Sequence, residues 1–173
     1  MSTRQINNVS LTLVLIFILG MVTGCSTTGS LKIHESIEGR TLKGAVAALI
    51  VTHPNSNEND IAIRLRGQVA THLLGGGLFK SITHQGDQDA DYKISIKLTE
   101  IDEVSGVSRV LWGVLAGSNK IAGDVTVIDV KTGQTARSFS FRGESALHPF
   151  SGKSDIKDAI EKASEEIIKG LSN

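Results

Sequence analysis

The side chains able to do chemistry in this 173-residue chain are one cysteine, five histidines, 18 acids and a scatter of serines. Their spacing matches few catalytic arrangements. A lone cysteine, Cys25, has no partner for an internal disulfide and supplies too few sulfurs for a cysteine-rich zinc site. No two of His34, His53, His72, His84 and His148 stand three or four residues apart, the spacing that sets two ligands on one helical face. No metal or other cofactor is expected. A Gly-x-Ser-x-Gly elbow is missing, and Asp102, Glu103 and Asp124 fit solvated strand ends and loops as well as they fit an acid–base pair. Gly152-Lys153-Ser154 resembles the tail of a phosphate-binding loop, but the first glycine of that pattern falls on Leu147, and His148-Pro149-Phe150 precedes it instead of a strand. No catalytic residue is assigned.

Cys25 has a context of its own. Residues 1–8 carry Arg4 and no acid, and the 14 residues Val9 to Val22 are apolar apart from Ser10 and Thr12. That length falls short of the roughly 20 residues of a spanning helix and fits the h-region of a signal peptide. The segment ends in Val22-Thr23-Gly24-Cys25, which resembles the lipobox of bacterial lipoproteins. The resemblance implies that residues 1–24 are a signal peptide cut before Cys25, that the thiol carries diacylglycerol through a thioether, and that the new amino group is acylated as well. Each buried methylene contributes about 0.8 kcal/mol and stable anchoring takes two chains, so such a lipid holds the protein on the membrane. Ser26 in place of Asp resembles the pattern of lipoproteins sent to the outer membrane of a Gram-negative cell, facing the periplasm. Removing 24 of the 173 residues leaves 149, with 17 basic and 18 acidic side chains. A nearly neutral domain gives no support to nucleic-acid binding.

The remaining chain supplies the elements that would position any site. Residues 25–30 read as a short lipidated tether, and residues 31–173 as a single domain. Gly44 to Val51 is an unbroken apolar run, the pattern of a buried strand. Ile61, Leu65, Val69 and Leu73 form a helical stripe with Asn59 or Asp60 at its cap and Gly75-Gly76-Gly77 at its end. Leu78 to His84 suits a short edge strand, and Tyr92, Ile94, Ile96 and Leu98 alternate with polar residues as a strand with one wet face. Ile121 to Val130 and Thr135 to Gly143 flank Lys131-Thr132-Gly133-Gln134, a hairpin turn with glycine at its left-handed position. Ile156, Ile160, Ala163, Ile167 and Leu171 make a second helical stripe after a Ser154 or Asp155 cap. The order β-α-β-β-β-β-α predicts an α+β fold: a mainly antiparallel sheet of four to five strands with two helices packed on one face.

Ser105 to Asp124 is the least ordinary stretch, with the only Trp and four glycines. Arg109, Leu111, Trp112, Val114 and Leu115 suit a partner-contact surface if exposed; the blander reading, which has the stronger claim, is a buried hairpin connection or a loop that covers the core. Arg109, the run Trp112-Gly113-Val114-Leu115-Ala116-Gly117, then Val125 to Asp129 and Thr132-Gly133 resemble the small Gram-negative lipoproteins grouped as domain of unknown function 4410. The family resemblance implies an envelope lipoprotein with an α/β domain and brings no catalytic residues. Three functions stay open. The first is a non-enzymatic outer-membrane lipoprotein binding an envelope protein or glycan. The others are a periplasmic hydrolase or transferase whose site assembles only in the fold, and an oligomeric subunit of an envelope complex.

Overall fold

In the computed structural model, residues 27–36, 42–53, 59–83, 89–104, 117–146 and 156–173 are described. The elements run β1 (Thr28–Ser36), β2 (Ala45–Thr52), α1 (Asn59–Gly75), β3 (Phe79–Thr83), β4 (Tyr92–Asp102), β5 (Lys120–Asp129), β6 (Thr135–Glu144) and α2 (Ile156–Ser172). They build one six-stranded sheet in the order β1-β6-β5-β4-β2-β3. The pairs β1–β6, β6–β5 and β5–β4 are antiparallel, whereas β2 runs parallel to both β4 and β3.

The α+β class and the two helices therefore stand, and the sheet needs correcting: it is mixed and has six strands. Two physical causes account for the difference. β2, α1 and β3 form a strand–helix–strand crossover, which returns the chain in its original direction and makes the pair parallel. β1 starts at Thr28, inside the stretch that composition marks as tether, and eight of its nine residues are exposed. With both faces wet, it lacks the apolar alternation that announces a strand.

The other periodicities translate directly into burial. Ile61, Leu65, Val69 and Leu73 of α1 and Ile156, Ile160, Ala163, Ile167 and Leu171 of α2 are all buried against one face of the sheet. That face presents Ile94, Ile96 and Leu98 of β4, Ile121, Val125 and Val127 of β5, and Phe139 and Phe141 of β6. Lys93, Ser95 and Lys97 alternate onto the opposite face, which no helix covers among the described residues. The β5–β6 hairpin closes as its residues dictate: Gly133 has φ +68°, a region costly for any residue with a Cβ, and its N–H donates to Asp129 C=O at 2.8 Å. Thr132 N–H donates to the Asp129 carboxylate at 2.9 Å and fixes the turn.

Two details lock α2 to the sheet. Gly143 of β6 lies directly under the helix, where an added Cβ would stand 2.6 Å from the Ala159 carbonyl oxygen and against the Ala163 backbone. Arg137, buried in β6, donates from Nη1 to the carbonyls of Gly170 and Leu171 at 3.0 and 2.6 Å. These are orphan carbonyls of the last helical turn, where a cation also meets the negative end of the helix dipole. Burial draws the guanidinium below its ordinary pKa, yet Arg remains cationic throughout the accessible range. No helix among the described residues is long and apolar enough to cross a membrane.

Candidate contact site at one rim of the sheet

Strand register gathers four chain segments at one end of the sheet. Thr28 at the start of β1 lies opposite Glu144 at the end of β6, Glu144 lies opposite Lys120 at the start of β5, and Lys120 lies opposite Asp102 at the end of β4. The connection between β4 and β5, which holds the Trp-containing segment, therefore leaves and re-enters at the rim where β1 begins. Cys25 precedes Thr28 by three residues, which reach about 10 Å at full extension.

A buried amide secures the base of the connection. Asn119 is 1% exposed, and its Oδ1 accepts the Val104 N–H at 2.8 Å, tying the exit of β4 to the entry of β5. Asn119 N–H donates to Ser145 Oγ at 3.0 Å, and Ser145 N–H donates back to Asn119 C=O at 3.0 Å. Ser145 is buried too. Three chain ends are thus joined by hydrogen bonds, buried between Asn119 and Ser145 and part-buried at Val104. Arg142, on the uncovered face, adds ion pairs to Glu144 at 2.8 Å and Glu100 at 3.2 Å.

Cys25, Arg109, Leu111, Trp112, Val114 and Leu115 lie outside the described residues, as do His84, His148 and Gly152-Lys153-Ser154. The flanking residues Val104 and Gly117 place the two ends of the Trp segment at the rim. The three acids do not converge: Asp102 and Glu103 sit at the rim, whereas Asp124 is in mid-strand opposite Lys97 and Ser140. Among the described residues no group of three His, Cys, Asp or Glu side chains is arranged to hold a metal ion.

On the uncovered face the fold does assemble a serine, a histidine and an aspartate. Ser140 Oγ donates to Asp124 Oδ1 at 2.7 Å and lies 2.6 Å from His34 Nε2. The wiring differs from that of a catalytic triad, in which the histidine stands between the other two and takes the serine proton. Here the serine stands in the middle and donates its hydrogen bond to the carboxylate, with the imidazole on its other side. The chain of bonds stitches β1, β6 and β5 together across the sheet.

A shallow cavity of about 270 Å³ opens at the opposite rim, lined by residues that include Lys43, Gly44, Asp91, Asp129 and Lys131. Asp91 Oδ2 accepts the Val46 N–H at 3.0 Å, and Lys131 Nζ stands 3.5 Å from Oδ1. The backbone N–H, and next to it the lysine charge, hold the Asp91 carboxyl below its ordinary pKa despite an opposing desolvation effect. This carboxylate ties the starts of β2 and β4 to the β5–β6 turn.

The chain belongs to the family described as domain of unknown function (DUF4410), whose model matches residues 36–171. The family resemblance carried by the glycine-rich segment, the β5 strand and the Thr-Gly turn is borne out. No curated protein matches the chain. Among solved structures, the PelC dodecamer from Paraburkholderia phytofirmans is similar with a TM-score of 0.59 at 17% identity, over 84% of this chain and 98% of that one. A DUF330 protein from Xanthomonas campestris gives a TM-score of 0.49 at 9% identity, over 79% and 85% of the two chains. Lipoprotein GNA1162 from Neisseria meningitidis gives 0.42 at 11% identity, over 75% and 99%. At this identity, the likeness to PelC is one of fold.

Proposed function

We propose that this protein is a lipid-anchored lipoprotein of the outer membrane whose periplasmic domain works by binding and not by catalysis. In this reading Cys25 carries the lipid, and an envelope protein or glycan is held through Arg109, Leu111, Trp112, Val114 and Leu115. One observation carries the proposal: β1 starts three residues beyond Cys25, on the rim from which the Trp-containing connection leaves. Anchor and contact segment then lie on one side of the domain, with the Asn119 clamp holding the segment's base. The order of the three groups, with Ser140 between Asp124 and His34, supports the non-enzymatic reading over the hydrolase or transferase. The solved PelC structure is a dodecamer, and we extend the proposal to self-association of this chain.

The test places a photo-crosslinking amino acid at position 112 of the full-length chain in intact cells. The expected product is a defined adduct with an envelope protein or glycan, retained in the outer-membrane fraction. Adducts confined to the chain itself, or none at all in a protein shown to be exported and folded, would overturn the binding role of the segment.

A further inference from the structure

We infer that copies of this chain pair head to tail, the outer edge of β1 in one copy adding to the outer edge of β3 in the next. This interface deepens the self-association proposed above and rests on it. The sheet order ends in β1 on one side and β3 on the other, so each presents a row of backbone N–H and C=O groups without a strand neighbour among the described residues. Such edges are templates for strand addition.

Direction decides how they combine. β3 runs with β2 and β4, and three successive antiparallel steps through β5 and β6 leave β1 running opposite to β3. Repeating the molecule sideways brings β3 of one copy against β1 of another in the antiparallel sense, so the sheet continues without a reversal of either copy. Two different surfaces of each copy are used, the arrangement that closes into a ring or extends as a chain.

Exposed apolar side chains lie on β1 and on the helix above β3. Ile33, on β1, is 49% exposed. On α1, which packs over β2 and β3, Ile63 and Leu74 are 62% and 45% exposed. At about 100° per residue these two fall on the flank away from His72, which turns toward Ser164 of α2. They point outward from α1, on the side of the helix away from α2. A β1–β1 pair would leave the β3 side uncovered. It would also place its two Thr28 residues at opposite ends of the paired ribbon, whereas tethers of about 10 Å must reach one leaflet. Head-to-tail pairing covers both edges and keeps every Thr28 on the same rim.

The test uses the full-length protein in its membrane, where the Cys25 sulfur is held as a thioether and does not react with maleimide. Lys32→Cys in β1 and Lys80→Cys in β3 are made singly and together, and membranes are treated with a short bismaleimide. The double variant is expected to give a ladder of dimers, trimers and larger species, and each single variant to stay monomeric. Adding Ile33→Glu to the double variant is expected to weaken the ladder about tenfold, the factor that corresponds to about 1.4 kcal/mol. Dimers from a single variant would replace the inference with like-to-like pairing, and a monomeric double variant would overturn it. Palmitate labelling of the same samples checks that Cys25 is blocked, and the native mass of the wild-type protein in detergent reports self-association separately, so this interface can fail while self-association stands.

Discussion

Asn119→Ala removes the acceptor that holds the Val104 N–H at the base of the β4–β5 connection. The original bond is 2.8 Å long, and the amide that makes it is 1% exposed. The bond is part-buried, so stripping its acceptor costs about 1 kcal/mol, the lower end of the range for a group left without its partner. For a domain of this size that corresponds to a fall in Tm of about 2–4 °C for each kcal/mol. The assay is urea and thermal unfolding of the 25–173 domain carrying Cys25→Ala, with amide hydrogen exchange followed at Val104. The variant should unfold at lower urea with an unchanged m-value, and Val104 protection should fall before that of Ile94 or Val125 in the core. Ser118→Ala, next in sequence, should change stability by less than about 0.5 kcal/mol. An Asn119→Ala domain with wild-type stability and wild-type Val104 protection would refute the clamp.

Two further perturbations follow from the fold. Gly143→Ala forces a methyl against α2 backbone that no side-chain rotation can clear; a loss of at least about 1–3 kcal/mol in denaturant unfolding is expected, and wild-type stability would show that α2 does not press on β6. Asp91→Asn should lower stability at neutral pH and remove part of its acid dependence. The Asp91 carboxyl is held below its ordinary value of 3.8, so its contribution is complete above that value and disappears as pH falls through the lowered one. Wild-type and variant unfolding curves should therefore converge in acid; a gap that stays constant across pH would contradict the assigned role of the charge.

The fold was legible wherever a stripe had to be buried. Leu65, Val69 and Leu73 announce α1, Ile160 and Ile167 announce α2, and the alternation around Ile94 to Leu98 announces β4, because each period matches the geometry of its element. Gly133 was legible for a different reason, since its turn needs a conformation that glycine adopts without strain. β1 carries no such signal: its exposed residues are ordered by pairing with β6, and pairing leaves no mark in composition. The parallel course of β2 was implicit in the strand–helix–strand order, where the apolar run reported burial but not direction. The Asn119–Ser145 clamp had no local signature, as its members are 26 residues apart and of types common in exposed loops. The His34–Ser140 contact spans 106 residues and exists only through the register of β1 on β6. The run Val22-Thr23-Gly24-Cys25, by contrast, is contiguous, and its resemblance to a lipobox needs no fold to be read.

The intact mass of the protein extracted in detergent from its native membrane tests the central claim most directly. The account predicts a chain that begins at Cys25 and carries the added mass of a thioether-linked diacylglycerol and an N-terminal acyl chain. A product retaining residues 1–24, or one beginning near Cys25 with an unmodified thiol, would contradict it.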